Sequence, residues 1–267
     1  MKILAIDSSG LVASAALMED DNFIAEYTVQ YKKTHSQTLL PMVEEICRMV
    51  ELDLATVDAI AVAAGPGSFT GLRIGSATAK GLAFALKKPI IPVPTVDGLA
   101  YQLYGAADLV CPIMDARRNQ VYTGIYEFVA DSSSQFEYDM RVIRQQCAVS
   151  FEEISEALNE LDRSVIFLGD GVPVFRERMG ETLRVPYTIA PVHRSRQSAA
   201  AVAALGSVYY QKGIMESGDA HAPIYLRLSQ AERENSLREL SLRGCSATSG
   251  EKSLRDLSLG NAREGSV

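Results

Sequence analysis

Residues 65–83 read GPGSFTGLRIGSATAKGLA, and no other stretch of the chain restricts its fold as much. Gly65, Gly67 and Gly71, with Pro66, form a loop directly after the apolar run Ala59–Ala64. Helical spacing follows at once. A strand, a glycine turn and a helix N-terminus in that order can present backbone N–H groups to a phosphate. The helix adds a second constraint. Gly71, Gly75, Ala79 and Ala83 recur at every fourth position and leave a ridge with almost no side chain. Glycine inside a helix costs about 1 kcal/mol relative to alanine, so two in adjacent turns, with Gly81 close behind, call for a compensating contact. Either the chain's own sheet or a partner helix could supply that contact, and the spacing leaves both open.

The loop fails the standard phosphate-binding spacings. A Walker A loop needs Gly-Lys-Ser/Thr five residues after its first glycine. Thr70 stands five residues after Gly65, Leu72 five after Gly67, and no lysine falls at the required place. In the dinucleotide fingerprint Gly65 and Gly67 fit, but the sixth position is Thr70 and Gly71 comes one residue late. The first strand ends at Asp7, where ATP-binding folds of the actin and sugar-kinase type place a metal-facing aspartate. Here Ser8-Ser9 follow, so the turn is short of glycine. Asp7, Gly65, Gly67 and Ser68 remain as contacts for a residual nucleotide site.

Other chemistry is not signalled. The histidines are His35, His193 and His221, and no two stand one helical turn apart, so no metal pair is expected. G-x-S-x-G is absent, and neither a catalytic residue nor a cofactor is expected. Arg117-Arg118 and His193-Arg194-Ser195-Arg196 read as solvated basic clusters. A formal net charge of −7 argues against a chain that grips nucleic acid by itself. Cys47, Cys111, Cys147 and Cys245 are scattered and read as thiols in a reducing compartment. MKILAIDSS reads as a strand and not as a signal peptide, and no apolar run has membrane-spanning length, so a cytoplasmic location is expected.

The hydropathy pattern predicts an α/β fold with mixed sheets flanked by helices. Strands are expected at Lys2–Ile6, Ser14–Met18, Phe23–Val29, Val57–Ala64 and Pro89–Val93. A helix capped by Ser36 carries Leu39, Val43, Ile46 and Val50 on one stripe. The glycine helix runs to about Leu86, and a third helix runs from Thr95 to about Tyr104. A second set of strands starts with LVCPIMDA and VYTGIYEF, and Asp131–Ser134 reads as a turn. A capped helix at Ser150–Leu161, a strand at Ser164–Leu168 and an alanine-rich helix at 197–211 follow, and His221–Leu228 closes the compact region. The expected division is a first lobe at 1–104, completed by the returning helix at 197–211, a second at 105–226, and a poorly ordered tail at 227–267. The tail repeats itself, SLRELSL at 236–242 and SLRDLSL at 253–259.

Five stretches together resemble one family: ILAIDSS, HSQTLLPMVEEI, the run from Ala63 through GPGSFTGLRIGSATAKGLA, MDARRNQVY and PIYLRLSQAERE. In order and spacing they are similar to the TsaB family of tRNA threonylcarbamoyladenosine biosynthesis proteins, over residues 1 to about 234. The resemblance implies a two-lobed, actin-like fold of the sugar-kinase, heat-shock-protein and actin superfamily. It implies a subunit without catalysis that pairs with the catalytic protein TsaD and helps recruit the ATPase TsaE, with tRNA met through the complex and no membrane involved. A homodimer on the same surface is the alternative assembly, and a small-molecule kinase or ATPase of the superfamily the alternative function. By resemblance the partner surface lies on the two helices of the first lobe, with His35, Leu39, Val43, Gly71, Arg73, Gly75, Ala79 and Ala83 as its expected residues.

Overall fold

The computed structural model describes residues 1–31, 34–131 and 137–227. Its first sheet is built from β1 (Lys2–Asp7), β2 (Ala13–Glu19), β3 (Asn22–Val29), β4 (Ala59–Gly65) and β5 (Ile90–Pro94), in the order β3-β2-β1-β4-β5. β1, β2 and β3 pair antiparallel, and β4 and β5 join in parallel. Alternation along each strand sorts the side chains to two faces. Leu4, Ile6, Ile60 and Val62 face α1 (His35–Met49) and α2 (Phe69–Leu86). Ile3, Ala5, Ala59, Ala61 and Ala63 face α6 (Ala199–Gln211). The alanines on that side admit α6 so closely that a Cβ built on Gly206 would lie 3.1 Å from the Ala61 Cβ.

The second sheet repeats the design. It contains β6 (Leu109–Asp115), β7 (Gln120–Ala130), β8 (Tyr138–Ser150), β9 (Val165–Leu168) and β10 (Tyr187–Ile189), in the order β10-β9-β6-β7-β8. Read from its own first strand, this is the same order and the same mix of antiparallel and parallel pairs. α4 (Phe151–Leu161) and α5 (Val172–Thr182) cover one face through Phe151, Ile154, Leu158, Phe175 and Met179. α3 (Thr95–Tyr101) covers the other through Val96, Leu99 and Ala100. It also touches β4, β5 and α6, so it lies between the two sheets. Asp97 on α3 ties them together. Its carboxylate accepts the Tyr126 hydroxyl of β7 at 2.6 Å and the Tyr209 hydroxyl of α6 at 3.3 Å.

The elements differ in places from the sequence expectation. α1 starts at His35 after Thr34, which caps through extended backbone without a side-chain bond, so Ser36 is inside the helix and not its cap. Pro41 then falls past the first turn, on the exposed side. α4 starts as expected, with Ser150 Oγ accepting the Glu153 N–H at 3.2 Å. β8, α5 and β10 were not anticipated. Most of β8 is only half-buried, and α5 buries only Val172, Phe175 and Met179, so neither carries a strong apolar pattern. Residues 221–225 form no regular element and run as a strap along the first sheet. Glu216 bridges to Ile90, the Ile224 N–H donates to the Ala64 carbonyl at 2.7 Å, and the Tyr225 ring lies 4.6 Å from that of Phe69. The turn at 131–134, apart from Asp131, and the tail repeats lie outside the described residues. No helix among the described residues is long and apolar enough to cross a membrane.

Candidate functional site

The two loops that could hold a phosphate are bonded to each other. The Ser68 N–H donates to the Ser9 carbonyl at 2.7 Å, and Ser8 Oγ donates to the Gly71 carbonyl at 2.9 Å. Ser68 Oγ turns inward and accepts the Gly71 N–H at 3.2 Å, so the first turn of α2 is capped by its own residue. The glycines exist for this closure. A Cβ on Gly67 would stand 2.2 Å from the Ser9 carbonyl oxygen, and one on Gly71 2.1 Å from that of Ser8. Gly65 has φ +117°, a left-handed backbone, and a Cβ there would meet the Ile224 carbonyl oxygen at 2.3 Å. The turn after β4 is therefore shaped to fit the turn after β1 and the strap.

Asp7 lies beneath this junction and is 3% exposed. Its Oδ1 accepts the Ser9 N–H at 2.8 Å and the Ser9 hydroxyl at 2.6 Å. Burial raises its pKa to about 6, against the lowering effect of those two bonds. Asp7 thus serves as the acceptor that folds its own turn. His35 Nε2 donates to the Gly10 carbonyl at 2.9 Å in the tautomer that carries its proton there.

A cleft of about 550 Å³ separates the two halves at this point. Ser9, Gly10, His35, Gly67 and Ser68 line it from the first half, and Asp115, Arg117, Tyr122 and Asp170 from the second. Asp115 holds the β6–β7 turn, accepting the Arg117 N–H at 2.8 Å and pairing with the Arg117 guanidinium at 3.2 Å. Asp170 accepts the Asp115 N–H at 3.3 Å, and burial pushes its carboxyl above the usual range. Two carboxylates on the wall oppose an anionic ligand. Among the described residues no cluster of three or more His, Cys, Asp or Glu side chains is placed to hold a metal ion. The residues from the second half escaped the sequence reading, although MDARRNQVY and Gly169-Asp170-Gly171 were their signals.

The helix residues expected on a partner surface divide into two groups. Leu39 and Val43 of α1 and Gly71, Gly75, Ala79 and Ala83 of α2 are buried against the chain's own sheet. A Cβ on Gly75 would stand 2.5 Å from Ser8 Oγ. The ridge of small residues therefore faces inward, and its close contact is with the β1 turn. Those six side chains have no surface left to offer a partner. Arg73 is exposed, with its guanidinium 4.0 Å above the Phe69 ring, and His35 is partly exposed at the cleft. The outward side of α2 carries Ala77, Gly81, Phe84 and Ala85, with Phe84 84% exposed, and Leu40 on α1 is also exposed. The signal for that side was the same four-residue spacing, displaced by two positions.

The class of protein follows from topology. Two five-stranded sheets of identical strand order, with a cleft between them, define the actin-like fold of the sugar-kinase and heat-shock-protein superfamily. A family model described as TsaD: tRNA N6-adenosine threonylcarbamoyltransferase matches residues 23–234. The Bacillus subtilis (strain 168) protein named tRNA threonylcarbamoyladenosine biosynthesis protein TsaB is 36% identical over 237 residues, 87% of this chain and 96% of that one. The protein of the same name from Haemophilus influenzae is 34% identical over 167 residues, 60% of this chain and 69% of that one. The solved structure of YeaZ from Pseudomonas aeruginosa superposes with a TM-score of 0.70 at 29% identity, covering 84% of this chain and 99% of that one. The family model and the relatives carry different names. The relatives decide between them, because the Bacillus match runs almost end to end. The chain belongs to the TsaB family, within the wider family that the TsaD model describes.

Proposed function

We propose that the chain is a non-catalytic scaffold subunit in the threonylcarbamoylation of tRNA. In this reading it works in the cytoplasm, pairs with TsaD and helps recruit TsaE. The target is the adenosine next to the anticodon in tRNAs that read codons beginning with A. A second copy of the chain takes the partner's place in its absence. The first lobe, 1–104 with α6, carries the docking face, and the second, 105–226, completes the cleft.

One observation carries the reading. The chain is 36% identical to a protein named for this biosynthesis, yet its two phosphate loops close on each other. A kinase of the same fold needs that space for its nucleotide. The docking face proposed is the outward side of α1 and α2, with Leu40, Arg73, Ala77, Gly81 and Phe84, and His35 at its edge toward the cleft. A large exposed aromatic beside small residues suits a helix that must be approached closely.

Gel filtration of the chain mixed with TsaD tests this. The wild-type chain is expected to elute as a complex, and Phe84→Glu and Gly81→Leu as separate folded proteins. Co-elution of both variants with TsaD would sink the docking face. Reconstituted modification that proceeds equally well without the chain would sink the function.

A further inference from the structure

The chain is acidic overall, but no Asp or Glu stands between Glu181 and Glu216. Arg184, His193, Arg194 and Arg196 fall in the first half of that interval. The structure brings this segment past the start of α5. The Gly169 N–H donates to the Ser195 carbonyl at 3.1 Å and the Ala190 N–H to the Phe167 carbonyl at 2.8 Å, so the segment is fastened to the second sheet. Between it and α5 lies a cavity of about 460 Å³. Arg176 of α5 and Arg196 line it from opposite sides, and Val172, Pro173, Ile189 and Val192 give it apolar walls. Val192 is 86% exposed.

Arg176, Arg194 and Arg196 form no salt bridge among the described residues. Asp170 acts electrostatically on Arg196, and its carboxylate already accepts the Asp115 N–H. Two guanidiniums facing one cavity match a phosphate, which each can grip with two parallel N–H bonds. Apolar walls beside them match the flat face of an unpaired base. A protein partner with acidic side chains would use the arginines but not the cavity.

We infer that this cavity binds single-stranded RNA, with a backbone phosphate between Arg176 and Arg196 and a base against Val172 and Val192. The inference rests on the tRNA-modification reading and gives the chain its own contact with that RNA, which net charge alone argued against. The acid-free interval supplies locally the positive field that the whole chain lacks.

The test compares Arg176→Glu/Arg196→Glu with a control of equal charge change, Arg141→Glu/Arg163→Glu, after thermal melts confirm that both fold. Fluorescence anisotropy with labelled, unmodified tRNA reads binding by the full chain. At about 50 mM salt the cavity variant is expected to bind about tenfold more weakly than wild type, and its salt slope to fall by roughly two, one per lost phosphate contact. The control is expected to bind as wild type does. Equal binding by the two variants overturns the inference, as does a wild-type chain that binds no tRNA at that salt. Displacement of the tRNA by AMP as readily as by an oligonucleotide also overturns it, by assigning the cavity to a free nucleotide. Co-elution of the cavity variant with TsaD separates the two ideas. It is expected to be retained, so lost pairing would fault the scaffold reading and lost RNA binding concerns only this cavity.

Discussion

α2 has an inward and an outward face built from nearly the same small residues. Inward stand Gly71, Gly75, Ala79 and Ala83, all buried. Outward stand Ala77, Gly81 and Ala85, all exposed. A Cβ on Gly71 meets a carbonyl oxygen at 2.1 Å, and a Cβ on Gly81 meets nothing within 4 Å. The same residue type is a requirement on one face and a vacancy on the other. A small-residue spacing therefore specifies that something comes close without specifying what. Here the β1 turn comes close from inside, which leaves the outer stripe beside Phe84 for another protein.

Substitutions can break this contrast, and the largest effect belongs to the inward face. Gly75→Leu must displace Ser8 and the turn that Asp7 organises, so denaturant titration is expected to show a loss of about 3 kcal/mol or more. Unchanged stability would mean that the two loops are not locked together. The next effect concerns the carboxylate under the lock. Asp7 has its pKa raised by burial to about 6 in the folded chain, from the model value of 3.8. The folded state therefore holds the proton more tightly, and this group's contribution is full below about pH 4 and is lost as pH rises through about 6. Asp7→Asn keeps an oxygen for the Ser9 donors and removes the buried charge. It is expected to gain on the order of 2–3 kcal/mol at pH 7 and to flatten the stability profile between pH 4 and 6. A parallel profile for variant and wild type would refute the buried charge.

Identical substitutions on the two faces sharpen the contrast further. Gly71→Ala is expected to destabilise by about 1–2 kcal/mol, because overpacking against backbone outweighs the gain in helix propensity. Gly81→Ala is expected to stabilise by up to about 1 kcal/mol, since only the propensity term acts. Thermal melts that moved in the same direction would erase the distinction between the faces. The smallest change is Arg73→Ala, which removes an exposed cation–π contact with Phe69 and is expected to cost about 0.5 kcal/mol in the isolated chain. A much larger loss in affinity for TsaD would place Arg73 in the docking face, and no loss would remove it.

The fold was legible where periodicity is strong. β1 to β5 and α2 declare themselves through buried apolar runs, and Ser150 announces α4 through a side chain that bonds its own helix. β8, α5 and β10 were illegible because half-buried edge elements carry a mixed pattern. At the site, the failed phosphate spacings were correctly legible as failures, since missing residues are a property of sequence. The acid-lined second wall of the cleft was not, because Asp115 and Asp170 are 55 positions apart and meet only through β6–β9 pairing. The basic segment at 193–196 read as solvated, because Arg176, its counterpart across the cavity, lies on an element that the pattern did not announce.

The sequence alone determined that this chain has a two-sheet α/β body of the TsaB kind and that α2 must be closely approached. Both follow from local chemistry, the alternation of apolar residues and the absence of side chains along one ridge. Only the tertiary structure decided which neighbour makes the approach. A bare helix face has no preference of its own, and its orientation follows from which side buries more apolar surface. Leu72, Ile74, Ala79 and Ala83 pack toward the sheet, and that burial turned the glycine ridge inward onto Ser8 and left Gly81 and Phe84 to the outside.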